Sequence, residues 1–65
     1  MEPKEIGKRL VELRGKKSQE EVATACDISP AAVGMYERGE RIPRDEIKIR
    51  LARYFDVSVE ELFFA

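Results

Sequence analysis

The side chains of this sequence best suited to chemistry are cationic, and they fall into two groups. Residues 8–17 carry Lys8, Arg9, Arg14, Lys16 and Lys17 against Glu12, and residues 38–53 carry Arg38, Arg41, Arg44, Lys48, Arg50 and Arg53 against Glu40, Asp45 and Glu46. The stretch between them, 18–37, holds no basic residue. Because 12 Lys and Arg nearly balance 13 Asp and Glu, the net charge of −1 says little and the distribution says more. Two basic segments flanking an uncharged or acidic middle suit phosphate contacts on either side of a piece that supplies shape and base contacts. Two solvated helix faces account for the same charges equally well.

Other chemistry finds little footing. There is no histidine, no glycine-rich phosphate loop, and no cysteine or carboxylate cluster at metal-ligand spacing. Glu20-Glu21 and Glu60-Glu61 are explained as helix caps and partners of helix dipoles. The expectation is a non-enzymatic chain with no cofactor and no metal. The one cysteine, Cys26, closes no internal disulfide and is expected to be buried packing, which fits a reducing compartment. The charged start, Met1-Glu2-Pro3-Lys4-Glu5, and the lack of any apolar run approaching about 18 residues predict a cytoplasmic protein with neither targeting signal nor membrane anchor.

With 65 residues the chain supports a single domain, 1–65, near the size at which one hydrophobic core is only marginally stabilising. Pro3 and the spacing of Ile6, Leu10 and Leu13 predict a first helix at about 3–14, ended by Gly15. Ser18-Gln19-Glu20-Glu21 has the form of a capping box, so a second helix starts at Gln19 with Val22, Ala23 and Cys26 as its apolar stripe. Asp27 suits a left-handed turn position. Ser29 caps a third helix with Pro30 at its first position and Ile28 stapled to Val33, and Gly39 stops it after about Arg38. Ile47, Leu51, Tyr54 and Phe55 mark a fourth helix at about 44–55. Ser58-Val59-Glu60-Glu61 repeats the capping box, stapled by Val57 and Leu62, for a short fifth. Without strand alternation or repeats, the fold class is all-α. Phe63 and Phe64 cannot both be core on so short a helix, so one is expected to close the core and the other to bury in a dimer contact.

Two short helices joined by a turn of three or four residues form a helix-turn-helix, whose crossing needs a small residue, here Ala23. Ser18-Gln19-Glu20-Glu21-Val22-Ala23, Ile28-Ser29-Pro30 and Tyr36-Glu37-Arg38-Gly39 resemble the phage-repressor (Cro/Xre-like) helix-turn-helix family. Ile42-Pro43 and Ala52 through Leu62 are similar to that family's later helices. The resemblance implies a five-helix, lambda-repressor-like DNA-binding domain with helices 2 and 3 as the motif. It also implies a transcriptional regulator that binds a two-fold site on double-stranded DNA as a homodimer. On that resemblance Ser18 and Gln19, at the start of helix 2, are DNA-binding residues, Gln19 through a phosphate. Ser29, Pro30, Ala31, Gly34 and Met35 face bases and nearby backbone, and Arg38, Arg41 and Arg44 contact backbone. Arg14 and Glu37 match a buried, structural salt bridge.

Three departures from the family pattern stand out. The loop Gly15-Lys16-Lys17 is shorter than usual, and Asp27 replaces the usual turn glycine. Pro30, Ala31, Gly34 and Met35 offer no side-chain hydrogen bond to a base edge. Selectivity is then expected from contact of Ala31 or Met35 with thymine methyls, from Ser29 and from DNA shape, with arginines setting affinity. At Gly34, close approach of the DNA backbone and simple tolerance both remain open, since glycine inside a helix costs about 1 kcal/mol relative to alanine. A protein-interaction module using the same apolar surface remains the rival reading.

Overall fold

The computed structural model describes residues 2–65; Met1, the first residue of the charged amino-terminal stretch, lies outside the described residues. Pro3 at the first position, where its missing N–H costs nothing, opens α1 (Pro3–Arg14). Ile6 and Leu10 bury against the core, but Leu13, expected on the same stripe, stays 36% exposed at the rim beside Val57 and Leu62. Gly15 takes φ +57 and ends the helix, its N–H returning to the Val11 carbonyl.

The capping box at the start of α2 (Gln19–Cys26) is formed in both directions. The Glu21 N–H donates to Ser18 Oγ at 3.0 Å, and the Ser18 N–H donates to Glu21 Oε1 at 3.3 Å. Ser18→Ala is expected to cost about 1 kcal/mol, seen as a fall of roughly 4–8 °C in the melting temperature by circular dichroism. An unchanged melting temperature would show that the cap is dispensable. Val22, Ala23 and Cys26 all bury, as their spacing requires. Asp27 takes the left-handed conformation at φ 58, letting the Ile28 N–H return to the Ala23 carbonyl at 3.0 Å.

The chain turns through Asp27–Ser29 into α3 (Pro30–Glu37), where Ser29 Oγ accepts the Ala32 N–H at 3.1 Å. Val33 and Tyr36 bury, and Gly39 at φ +74 closes the helix against the start of α1. Arg44 precedes α4 (Asp45–Phe55), which buries Ile47, Leu51 and Ala52, and Asp56 repeats the left-handed stop of Asp27 at φ 57. The last element, α5 (Glu60–Phe64), is capped by the Ser58 and Glu61 pair but winds with π-type bonds. Two consecutive residues of it, Leu62 and Phe63, lie in the core.

All five elements are helical, and no strand occurs among the described residues. α1 packs on α3 and α5, while α2 packs on α3 and α4, so α3 is wedged between α1 and α2 with its outer face free. One core runs through all five, from Ile6 and Leu10 to Phe63. At Gly7 the backbones of α1 and α3 meet: a Cβ there would lie 2.8 Å from the carbonyl carbon of Glu37 and within 3.0 Å of the Tyr36 carbonyl oxygen. The small residue at Ala23 serves the α2 contact, and Gly7 does the same for α1 and α3.

Candidate nucleic-acid interface

The outward face of α3 is open. Pro30 and Ala31 are exposed and Met35 is half-buried, so the residues expected to face a ligand do face solvent. Their polar resources are few. Ser29 Oγ already accepts the capping N–H of Ala32, which leaves its hydroxyl hydrogen as a donor. Ser18 is exposed too, with its hydroxyl engaged in the capping box.

On the side of α3 that meets α2, the polar groups form a chain of contacts around Glu37. Its side chain is only 6% exposed and accepts Arg14 Nε at 2.6 Å and Arg14 Nη2 at 3.2 Å, a two-pronged pair. The same carboxylate accepts Gln19 Nε2 at 2.8 Å. Arg14 also donates through Nη1 to the Lys17 carbonyl at 2.7 Å, tying down the short loop before α2. The hydrogen bond to Glu37 raises the pKa of the Arg14 guanidinium above its ordinary value; desolvation opposes it and the Glu37 charge adds to it. Arg14 and Glu37 are thus the interhelical pair expected between α1 and α3, with Gln19 added as a third member.

Next to this chain lies Gly34, which is buried although it faces outward. The Arg38 side chain covers it: a Cβ on Gly34 would sit 3.0 Å from Arg38 Nη1 and 3.6 Å from Gln19 Nε2. Direct approach of a DNA backbone to Gly34, as one sequence expectation has it, therefore requires Arg38 to move first. Arg38 is held there by Glu40, through Nε to Oε2 at 2.9 Å and Nη2 to Oε1 at 3.3 Å. The hydrogen bond raises the Arg38 pKa and lowers that of Glu40, leaving both charged near neutrality.

On the opposite flank Ser29, Arg41 and Arg44 line a groove with Ile28, Tyr36 and Ile47. Arg44 is exposed and lies 3.8 Å from Glu46. The first basic segment is less available than its composition suggested. Arg14 is occupied as above, Arg9 donates to the carbonyls of Leu62 and Ala65, and the Lys17 ammonium stacks 4.8 Å over the Tyr54 ring. Lys8 and Lys16 stay exposed in that segment, and Arg41 and Arg44 are exposed after α3.

At the far end, Phe63 is 1% exposed and Phe64 56% exposed. The expectation that one closes the core holds for Phe63, which removes it from any surface a second copy touches. Phe64 lines a shallow groove with Lys48, Ile49 and Val59, and its ring lies 5.1 Å from the Lys48 ammonium. Cys26 is buried, and desolvation pushes its thiol pKa up, so it packs as an apolar residue.

Sequence reasoning missed Glu40 and the link from Gln19 to Glu37. Glu40 follows the glycine stop, where no helical periodicity assigns a side chain to a face. The link from Gln19 depends on how closely α2 and α3 cross. Gly7 was legible in principle, by the same signal that singled out Gly34: a glycine inside a helical pattern.

The chain matches a helix-turn-helix family model over residues 8–62. It belongs to the Cro/C1-type (Xre-like) helix-turn-helix family. No curated protein and no solved structure gives a significant match. This helix-turn-helix domain is of a DNA-binding regulator family, and the matched span includes the Arg14 network, α3 and the arginines after it. It stops short of Phe63 and Phe64. Among the described residues no helix is long and apolar enough to cross a membrane, and no cluster of metal-ligand type is present.

Proposed function

We propose that this helix-turn-helix domain binds double-stranded DNA sequence-selectively, with α3 in the major groove, and acts as a repressor-like homodimer in the cytoplasm. The observation that carries this reading is the open face of α3 between two polar flanks, Gln19 and Arg38 on one side and Arg41 and Arg44 on the other. A helix presented this way meets base edges while its flanks meet the phosphate walls. Selectivity at Ala31 and Met35 then rests on thymine methyls and DNA shape, and the arginines supply affinity. The exposed Phe64 beside Ile49 supports pairing of two copies through α4 and α5.

A salt titration of binding to a mixed-sequence duplex tests the electrostatic half of this reading. Neutralising the phosphates met by Arg38, Arg41 and Arg44 gives a slope of log K against log salt of about −3 per protomer. A flat response, or no binding at low salt, would favour the rival in which the apolar face of α3 docks on another protein. Ala31 and Met35, with no polar group to offer a base, are what that rival rests on.

A further inference from the structure

Gly34 poses a question the fold does not answer. It breaks no helix, needs no positive φ, and touches no neighbouring backbone; what fills the space beside it is the far end of Arg38 and the amide of Gln19. Side chains on a helix lean toward its amino terminus and cover the turn before their own Cα. Arg38 therefore leans over position 34, where a Cβ would crowd its guanidinium.

We infer that Gly34, Glu37 and Glu40 position Gln19 and Arg38 as one two-donor clamp for a DNA phosphate, so that residues making no DNA contact set how tightly DNA is held. The inference rests on the DNA-binding reading above. Glu37 takes one N–H of the Gln19 amide and leaves the other free. Glu40 takes Nε and Nη2 of Arg38 and leaves Nη1, which has no partner among the described residues, beside Gln19 over Gly34. Two donors, one from the start of α2 and one from the residue that follows α3, thus lie beside Gly34, each bonded to a carboxylate. The position belongs to the flank where α2 crosses toward α3, the side on which a helix-turn-helix meets phosphates rather than bases.

The test is a set of variants of the whole chain, measured by melting temperature and by anisotropy with a labelled mixed-sequence duplex over a range of salt. Gly34→Ala meets only a flexible side-chain end, so its melting temperature rises with the better helix former. Its DNA affinity nevertheless falls, by roughly three- to tenfold, as Arg38 is displaced. Arg38→Ala loses a similar factor and flattens the salt slope by about one. Adding Gly34→Ala to Arg38→Ala costs nothing further. Glu40→Gln removes a charge that repels DNA, so it tightens binding when Arg38 is absent, and less or not at all when Arg38 is present. Unchanged affinity of Gly34→Ala, with Arg38→Ala still weakened, overturns the role of Gly34 while leaving DNA binding intact. Equal gains from Glu40→Gln in both backgrounds overturn the role of Glu40. A loss on Arg38→Ala confined to duplexes with one particular base makes Arg38 a base reader and overturns the clamp. Failure of the parent chain to bind any duplex removes the DNA-binding reading itself, and the clamp with it.

Discussion

Gly7→Ala is expected to destabilise the chain, although the same substitution ordinarily strengthens a helix. The new Cβ would fall against the Glu37 carbonyl, at 2.8 Å from its carbon and closer still to its oxygen, with the Tyr36 carbonyl oxygen 3.0 Å away. These are backbone atoms in the last turn of α3 and have no rotamer to escape into, so α1 must back away from α3. Overpacking of this kind costs about 1–3 kcal/mol in a core that can shift, and more where it cannot. The gain from placing alanine in a helix is only about 1 kcal/mol and does not offset it. A domain this small has about 3–5 kcal/mol to lose. Thermal denaturation followed by circular dichroism should show a fall of roughly 10 °C or more. A melting temperature equal to or above that of the parent would show that α1 can move away from α3 at Gly7 without loss. The comparison with Gly34→Ala sharpens the point, because the same substitution is expected to stabilise at one glycine and destabilise at the other. What differs is the neighbour: rigid backbone at Gly7, the tip of a long side chain at Gly34.

Most of the fold was legible because its boundaries are set by local chemistry. Ser18 with Glu21, and Ser58 with Glu61, announce helix starts through side-chain bonds three residues away. Pro30 and Gly39 bracket α3 for reasons internal to the backbone, and Asp27 takes the left-handed turn its side chain tolerates. Where periodicity alone was the guide, the reading was weaker. Leu13 has the right spacing for the core but sits in the last turn of α1 and stays at the rim beside Val57 and Leu62. The π-type winding of α5 was not legible, since the capping box at Ser58 signals a helix start without its pitch.

The candidate site divides along the same line. That Pro30, Ala31 and Met35 face outward follows from the positions of Val33 and Tyr36 on the opposite side of the same helix. That Gln19, Glu37, Arg38 and Glu40 act on one another does not follow from any single helix. Gln19 and Glu37 lie 18 positions apart and Arg14 and Glu37 lie 23 apart, and their meeting is a product of how α1, α2 and α3 cross. The sequence resemblance marked Arg14 and Glu37 as a structural pair; the Gln19 amide on the same carboxylate gives that pair a bearing on the surface where DNA is proposed to sit.

This last point yields an expected separation of stability from binding. Glu37→Gln keeps the size of the side chain but turns one of its two acceptors into a donor. It therefore leaves the Arg14 guanidinium without a counterion and faces donor with donor at Arg14 or at Gln19. Removing one partner of a fully buried pair costs about 3–5 kcal/mol, and the partial exposure of Arg14 trims that to roughly 2–4 kcal/mol. Replacing both members with apolar residues of similar length, Arg14→Met with Glu37→Met, removes the unpaired charge and should recover much of the loss, because a buried ion pair seldom outweighs a well-packed apolar one. DNA affinity should not recover with it, since the Gln19 amide then has nothing to hold it toward Arg38. Measured where both proteins are fully folded, the double variant should bind duplex DNA several-fold more weakly than the parent at a similar melting temperature. If it instead binds as tightly as the parent, the pair between α1 and α3 is a support of the fold alone and Gln19 finds its place without it.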